Sequence, residues 1–314
     1  MDNDSSEYSE IVSKLEQKYE AMGQDLSSYL DGLLYSDYLT YWDYIHLDTL
    51  LSLQNPKTSL PDENIFIIYH QISELYFKLI LSELSQITDK VVLERDFFVD
   101  RLDRVIRYFE NLVNSFGIMV DGMEPDQFLK FRMSLLPASG FQSAQYRLIE
   151  IYCTDMINLV NANDRENLRR EDLRNQLEHL YWRSGATELA TGKKTLTLRQ
   201  FENKYMKQFL EAGLNCKDVN LSRLYHKNFL DDGLVVEKLK QLDQLVNIKW
   251  AMSHMKSAAR YLSRDPDDVK ATGGTNWQKY LPPRFQKIMF FPELYSDKEK
   301  EAWGSNLSIL KQVF

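Results

Sequence analysis

Apolar residues recur along most of this chain at spacings of three and four, which is the period of an α-helix. Prolines and glycines cluster between the periodic segments, and no part of the chain resembles a strand-rich domain. The sequence therefore predicts an all-α protein. The predicted helices cover residues 6–22, 41–53, 63–87, 95–117, 125–135, 141–162, 166–180, 198–212, 234–263 and 296–311.

Nothing in this helical pattern marks a boundary between domains. No repeat of fixed period divides the chain, and no linker rich in Pro, Gly or Ser separates two halves. We therefore predict a single helical domain over residues 1–314, with residues 1–40 as an N-terminal helical extension. Residues 183–197 are predicted to form a loop excursion, to which the sequence assigns no role.

Composition and charge exclude one large class of partner. The chain has 314 residues, of which 44% are hydrophobic, so it can bury a large core. Its 38 basic and 46 acidic residues give a net charge of −8, which disfavours binding to a nucleic-acid backbone. The longest basic cluster, at 167–174, is interrupted by acids as on a solvated helix face. Nucleic acid is not an expected partner.

The cysteines and the N-terminal residues suggest a location. Cys153 and Cys216 lie far apart with no CxxC motif, so the sequence implies neither a disulfide nor a zinc site. The first residues are acidic, whereas a signal peptide is basic and then apolar, and no uncharged apolar run approaches membrane-spanning length. We expect a cytoplasmic protein that does not enter a membrane.

The segment 128–150 combines apolar helical runs, a turn of small residues and two guanidinium groups. Phe128 and Arg132 are four residues apart and share one helix face, which is part apolar and part cationic. Ser139 and Gly140 lie in the turn, and the helix after it begins with free N–H groups that suit a small carboxylate or a cofactor propionate. The alternative is a plain helix corner with Arg132 extended to solvent.

Two histidines lie inside strongly apolar helical patterns. Phe66, His70 and Glu74 follow one stripe of a helix, and the His70–Glu74 spacing resembles that of metal ligands, although no further ligand lies nearby. His254 occupies a position where an aliphatic residue is expected. A core histidine with an internal hydrogen bond explains either residue, while the functional alternative for His254 is an axial ligand to haem iron through Nε2.

The remaining candidate positions carry weaker signals. His46 lies in a segment dense in aromatic residues, as in a core or an interface. His179 and His226 lie in polar stretches and are predicted at the surface or as helix caps. Thr272 precedes two glycines, in a loop that can close over a ligand but lacks the pattern of a nucleotide loop.

Five segments taken together resemble one family, the tryptophan 2,3-dioxygenases. In chain order they read YWDYIHLDTLLSLQ, ENIFIIYHQISELYFKLIL, FLKFRMSLLPASGFQSAQYRLIE, WAMSHMKSAARYL and ATGGTNWQKYL. The resemblance implies a helical enzyme with haem b that adds both atoms of O2 across the indole C2–C3 bond of L-tryptophan, giving N-formylkynurenine. The last segment departs from the family pattern, because ATGGTNW replaces GTGGSSG, and Tyr76 stands where the family commonly has Trp.

The resemblance also implies roles for individual residues. His254 would be the axial ligand of the haem iron, His70 would hydrogen-bond the indole N–H, and Arg132 would pair with the substrate carboxylate through two hydrogen bonds. The other substrate contacts implied are Phe66, Phe128 and Thr272, with Tyr41 and Tyr44 reaching the site of a neighbouring subunit. Ser139 and Gly140 are the expected backbone contacts of the cofactor.

The family is typically homotetrameric, so a tetramer to which the N-terminal helices contribute is expected here. Three alternatives stay open at this point. One is a related haem oxygenase acting on another aromatic amino acid or a modified indole. The others are a non-catalytic protein that binds haem or an amino acid, and a helical interaction protein without a cofactor.

Overall fold

Helices make up nearly all of the regular structure in the computed structural model, which describes residues 2–35, 40–132, 140–187, 193–262 and 282–305. Within these ranges the residues outside helices form only two isolated bridges, Val160–Leu180 and Thr187–Lys194, and no sheet. The prediction of an all-α protein is confirmed.

The α-helices are numbered in chain order. They are α1 (Asp2–Ala21), α2 (Leu26–Tyr35), α3 (Tyr41–Tyr44), α4 (Leu47–Leu51), α5 (Asp62–Thr88), α6 (Arg95–Ser115), α7 (Gly117–Asp121), α8 (Pro125–Phe131), α9 (Ala144–Cys153), α10 (Met156–Leu159), α11 (Arg165–Leu168), α12 (Leu173–Glu178), α13 (Tyr181–Ser184), α14 (Leu196–Cys216), α15 (Leu221–Asn228), α16 (Gly233–Gln244), α17 (Ala251–Leu262), α18 (Pro283–Gln286) and α19 (Asp297–Glu301). A π-helix, Leu245–Trp250, joins α16 to α17, and Gly140–Gln142 and Pro292–Leu294 are short 3₁₀ helices.

Three predicted helices, 41–53, 141–162 and 166–180, are wrong in length, because the structure divides each into shorter pieces. The break within 41–53 lies at His46, whose backbone is left-handed (φ 51°). The break within 141–162 lies at Thr154, whose backbone is extended (φ −148°, ψ 168°) and whose hydroxyl donates to the carbonyl of Phe290. Helix α15 was not predicted, since it has only eight residues. Its signal was Asn220, whose side chain accepts the N–H of Arg223 as an N-cap.

The contacts within the chain divide it into two compact units, 1–54 and 55–314. The predicted extension, 1–40, falls within the first. In that unit a ring contact of 4.6 Å between Tyr19 and Tyr29 joins α1 to α2. None of the side chains described there is buried, and many large apolar ones are exposed, Leu33 by 65% and Leu34 by 81%. The described residues of this unit therefore form no hydrophobic core of their own.

The second unit contains the hydrophobic core. Helix α5 packs against α6 and α9, α14 packs against α9, and α16 packs against α6. The largest side chains that are almost wholly buried are Tyr261, Phe98, Phe109, Phe131, Phe209, Phe290 and Phe291. Each such side chain contributes roughly 1.5–3 kcal/mol by leaving water, so this core fixes the helices that carry the histidines.

The predicted loop at 183–197 is described in part. Ser184 ends the short helix α13, the Thr187–Lys194 bridge pairs the two sides of the connection, and α14 begins at Leu196. Residues 188–192 lie outside the described residues. No helix in the described ranges is both long enough and apolar enough to span a membrane.

Arg147, the second guanidinium of the 128–150 segment, belongs to a buried polar cluster. Its Nη1 lies 3.0 Å from Oε2 of Glu150 and donates to the Tyr181 hydroxyl at 3.1 Å. The Tyr181 hydroxyl in turn donates to Oε1 of Glu150 at 2.6 Å. Because Arg147 and Glu150 are 6% and 1% exposed, their charges depend on one another. The cluster joins α9 to α13.

Replacing Glu150 with Gln should lower the free energy of unfolding by about 3–5 kcal/mol, because it leaves the buried Arg147 charge without its carboxylate. Urea denaturation followed by circular dichroism measures the change. Glu166→Gln, which breaks the exposed pair with Arg169, is the matched control and should leave the urea midpoint where it is. Equal midpoints for the two variants would contradict the argument.

Candidate functional site

His254 lies on α17 with one ring nitrogen already engaged. Its Nδ1 is 2.9 Å from the carbonyl oxygen of Trp250, one turn earlier. A carbonyl oxygen only accepts, so Nδ1 carries the proton and donates it, and Nε2 of the neutral ring keeps its lone pair. The rings of Phe116 and Trp250 enclose the imidazole, each with its centroid 4.5 Å away.

The surroundings of His254 keep it neutral. Burial lowers its pKa to about 4, the Trp250 carbonyl partly offsets this, and a positive charge on His70 would lower it further. At neutral pH, His254 is an uncharged imidazole with a free Nε2, which is the form that binds iron.

His70 repeats this arrangement on α5. Its Nδ1 is 2.7 Å from the carbonyl oxygen of Phe66, so Nδ1–H donates and Nε2 is the free acceptor. Burial among the surrounding atoms lowers the pKa of His70, and the Phe66 carbonyl and the Glu74 carboxylate partly offset the effect. The residue is nevertheless exposed, so the alternative of a core histidine is wrong for His70.

Aromatic rings from three helices meet beside His70. The Phe66 ring lies 4.0 Å from the imidazole, 6.4 Å from the Phe128 ring and 5.8 Å from the Phe131 ring, measured between centroids. Phe128 also contacts Tyr261 of α17 at 4.6 Å. The structure thus brings Phe66, His70 and Phe128 together, as one apolar wall with an imidazole at its edge.

Phe131 and Tyr261 extend this wall, and the sequence interpretation did not assign them to the site. Their signal was their spacing, since Phe131 is three residues after Phe128 and Tyr261 is seven after His254, on the same helix faces. Both are almost wholly buried, so their pattern does not differ from that of ordinary core residues.

Arg132 directly follows α8 and is only 8% exposed. Burial lowers the pKa of its guanidinium, which stays charged because the ordinary value is 12.5. Arg132 follows Phe131, whose ring belongs to the aromatic wall. The alternative in which Arg132 extends to solvent is therefore wrong. A buried guanidinium next to an aromatic wall suits a ligand with a carboxylate and an apolar ring.

The turn after α8 is described only in part. Ser139 and Thr272 lie outside the described residues. Gly140 begins the short 3₁₀ helix, and α9 follows with Ser143 as its N-cap, whose hydroxyl accepts the N–H of Tyr146 at 3.2 Å. One of the N–H groups predicted to meet an anion is thus already bonded within the chain.

The other predicted residues belong to the first unit or to the exposed surface of the second. Tyr41 and Tyr44 belong to α3 of the first unit, and each is 71% exposed. His179 and His226 are exposed, as predicted; Nδ1 of His179 is 3.3 Å from the Asp164 carboxylate. Among the described residues, no group of three or more His, Cys, Asp or Glu could hold a metal ion.

The described residues include the one ligand that a haem requires from a protein. A porphyrin supplies most of the ligands of its own iron, so the protein needs to provide one neutral imidazole nitrogen. Nε2 of His254 is such a nitrogen, on a ring held in place by the Trp250 carbonyl. The surroundings of this ring are aromatic, which suits a flat apolar macrocycle.

Comparison with known proteins matches this chain to one family. The sequence model of the tryptophan 2,3-dioxygenase family matches residues 31–209, a range that contains His70 and Arg132 and ends before His254. The tryptophan 2,3-dioxygenase of Ruegeria sp. (strain TM1040) is 30% identical over 282 residues, with 83% of this chain and 92% of the relative covered.

Two further relatives bear the same name. That of Ruegeria pomeroyi is 28% identical over 268 residues, covering 83% of this chain and 92% of its own. That of Anaeromyxobacter dehalogenans is 28% identical over 283 residues, covering 85% and 97%. The match extends over most of the length of every protein compared, and the helical fold agrees with it. The chain belongs to the tryptophan 2,3-dioxygenase family, a family of oxidoreductases that are dioxygenases.

Proposed function

We propose that this protein is a haem-dependent dioxygenase that converts L-tryptophan and O2 to N-formylkynurenine, the first step of tryptophan breakdown through kynurenine. The observation that carries the proposal is the pair of neutral imidazoles, His70 against the aromatic wall and His254 between the Phe116 and Trp250 rings. Each imidazole donates through Nδ1 to its own helix and presents a free Nε2. The names of the relatives and the family match support the same activity.

His254 is the residue that would hold haem b, through Nε2 as axial ligand. When bound, the haem supplies the chemistry that activates O2 and adds both of its atoms across the indole C2–C3 bond. The protein keeps His254 neutral and fixes its ring by the hydrogen bond to Trp250 and by the Phe116 and Trp250 rings. Ser139 and Gly140 are proposed as backbone contacts of the cofactor.

Two kinds of contact recognise the substrate in this proposal, an ion pair with its carboxylate and apolar packing against its indole ring. Arg132 presents a planar guanidinium that pairs with the carboxylate of L-tryptophan through two hydrogen bonds. Phe66 and Phe128 form the wall against which the indole ring packs. Thr272 is proposed to meet the ammonium or carboxylate group. An amino-acid zwitterion with an aromatic side chain needs this combination of a cation, an apolar slot and a few donors.

His70 is proposed to orient the indole. Its free Nε2 accepts the indole N–H, because Nδ1 is already committed to the Phe66 carbonyl. An imidazole used in this way positions the substrate and need not remove a proton in an obligatory step. The main contribution of the protein is then to hold the indole at the reacting group in the right orientation.

We propose that the protein acts in the cytoplasm as a homo-oligomer, with a tetramer as the expected form. Two separate surfaces support association. The first unit has no buried side chain among those described, and in the second unit Ile68, Ile72, Leu75 and Leu79 form an exposed stripe along α5. Tyr41 and Tyr44 would then reach the site of a neighbouring subunit. Sedimentation equilibrium tests this assembly, and a monomeric mass at micromolar concentration would contradict it.

A second candidate is an oxygenase that acts on another aromatic amino acid or on a modified indole. The segment ATGGTNW favours it, since Asn276 and Trp277 add bulk where the family usually has small residues. An assay of product formation with each substrate separates this candidate from a tryptophan dioxygenase, because the two proposals differ only in the substrate.

The direct test is to load the protein with haem, record its spectrum, and add L-tryptophan in air-saturated buffer. Formation of N-formylkynurenine, detected by its ultraviolet absorbance and mass, is expected. The variant His254→Ala should lose the bound haem, whereas His226→Ala, an exposed histidine, should retain it. Haem without product from L-tryptophan, but with product from another aromatic amino acid, would favour the second candidate.

Replacing Arg132 with Ala should raise the KM for L-tryptophan about 30-fold or more, because it removes a buried charge that pairs with the carboxylate. The haem spectrum should not change. Steady-state kinetics with L-tryptophan and with tryptamine, which lacks the carboxylate, measures the effect. Tryptamine should be turned over equally poorly by both proteins. Arg260→Ala, on the exposed end of α17, is the control; a similar KM for both variants would contradict the role of Arg132.

The activity should fall on the acid side of neutrality. The pKa of His70 lies below its ordinary value of 6.5, so the ring is neutral at pH 7 and above, and kcat/KM should be flat there. As the pH falls through that lowered pKa, Nε2 gains a proton and can no longer accept the indole N–H. His70→Asn should lower kcat/KM at pH 7.5 and remove this acid limb from the pH profile. An unchanged limb would assign it to another group.

A further inference from the structure

Residues 233–262 form one continuous helical stretch that does not keep a single helical period. Its buried or half-buried stripe advances by four residues at each step, through Leu242, Val246, Trp250, His254 and Ala258. On an α-helix each such step overshoots a full turn by about 40°, so four steps should displace the stripe by about 160°. In the structure Leu242, Val246, Trp250 and Ala258 nevertheless belong to the core or pack against it, and His254 contacts the core ring of Phe116.

The π-helix Leu245–Trp250 accounts for most of this difference. A π turn closes i→i+5 hydrogen bonds, and therefore takes up about one residue, or about 100°, more than an α turn. The wider turns rotate everything that follows them back toward the core. The direction in which the His254 side chain points from α17 thus depends on the π turns directly before that helix.

A buried carboxylate holds this part of the helix. Asp243, in the last turn of α16, is 0% exposed and accepts a hydrogen bond from Nδ2 of Asn247, inside the π-helix, at 2.7 Å. It also accepts the backbone N–H groups of Phe290 at 3.0 Å and Phe291 at 3.2 Å. Burial raises the pKa of Asp243 to about 7, and these donors oppose the rise. The carboxylate ties the π-helix to the chain at 290–291.

The tied segment covers the outer face of the helix that carries His254. Met289, Tyr295 and Trp303 form a small apolar cluster with Ile248 of the π-helix and Met252 of α17. Met255, the neighbour of His254 in the sequence, packs against the same cluster. Any shift of the chain at 290–291 therefore reaches the residues on either side of His254.

We propose that Asp243 is a positioning residue for His254. Through its bonds to Asn247 and to the backbone at 290–291, Asp243 stabilises the π-helix and so sets the direction of His254 Nε2. The inference rests on the proposed function, in which His254 binds the haem iron. Asp243 is eleven residues before His254 and does not need to touch it. A change at Asp243 reaches His254 along the continuous helix formed by α16, the π-helix and α17, and through the apolar cluster that packs on this helix.

The test is the iron–histidine stretching band of the haem-loaded ferrous protein, recorded by resonance Raman spectroscopy. In Asp243→Asn an amide nitrogen replaces one acceptor oxygen, so at least one N–H bond is lost. We expect this band to shift and the haem dissociation rate to rise about tenfold, as for other groups that orient a metal ligand. Asn247→Leu, which removes only the bond inside the π-helix, should shift the band in the same direction.

The matched control is Glu150→Gln. It also replaces a buried carboxylate with an amide, but in the Arg147 cluster between α9 and α13, where Glu150 bonds neither the π-helix nor the chain at 290–291. This variant should lower stability and leave the band in place. An unchanged band in Asp243→Asn, or in Asn247→Leu if the first variant does not fold, would overturn the inference. A wild-type protein with no iron–histidine band, or a band that survives His254→Ala, would instead overturn the proposed function.

Discussion

The structure of the site depends on one repeated hydrogen bond, from Nδ1–H of a histidine to the carbonyl oxygen one turn earlier in its helix. His70 makes it to Phe66 and His254 makes it to Trp250. The bond decides which nitrogen carries the proton, and so leaves Nε2 as the free acceptor in both rings. Burial lowers both pKa values and keeps the rings uncharged. Every role proposed for the two histidines follows from that choice of nitrogen, whether toward iron or toward an indole N–H.

Around these rings the structure separates apolar contact from charge. Phe66, Phe128, Phe131 and Tyr261 form one continuous aromatic wall, and Arg132 is buried next to it in the sequence. The other guanidinium of the same segment, Arg147, is used differently, since Glu150 and Tyr181 neutralise and bond it inside the core. One guanidinium therefore stabilises the fold, and the other is buried directly after the α8 residue that contributes its ring to the wall.

Much of this was predictable from helical periodicity. The stripe that carries His254 placed it on an inward face, and the four-residue spacing placed Phe66 beside His70, although His70 itself is exposed. Three further features were not predictable in this way. The break at Thr154 depends on a hydroxyl that finds Phe290, 136 residues away, and the Arg147 cluster likewise needs a partner distant in the sequence. The π-helix leaves one local signal, which is a stripe that takes four consecutive steps of four residues. A regular α-helix mixes steps of three and four.

The described residues of the first unit, 1–54, bury no side chain, and this bears on how firmly its helices are held. A segment without buried side chains gains too little from leaving water to offset the conformational entropy lost on ordering. The backbone hydrogen bonds of α1 and α2 therefore open to solvent more readily than those of α5 and α6, whose apolar faces are buried. Amide hydrogen exchange thus separates the chain into a fast and a slow part at the boundary between its two units.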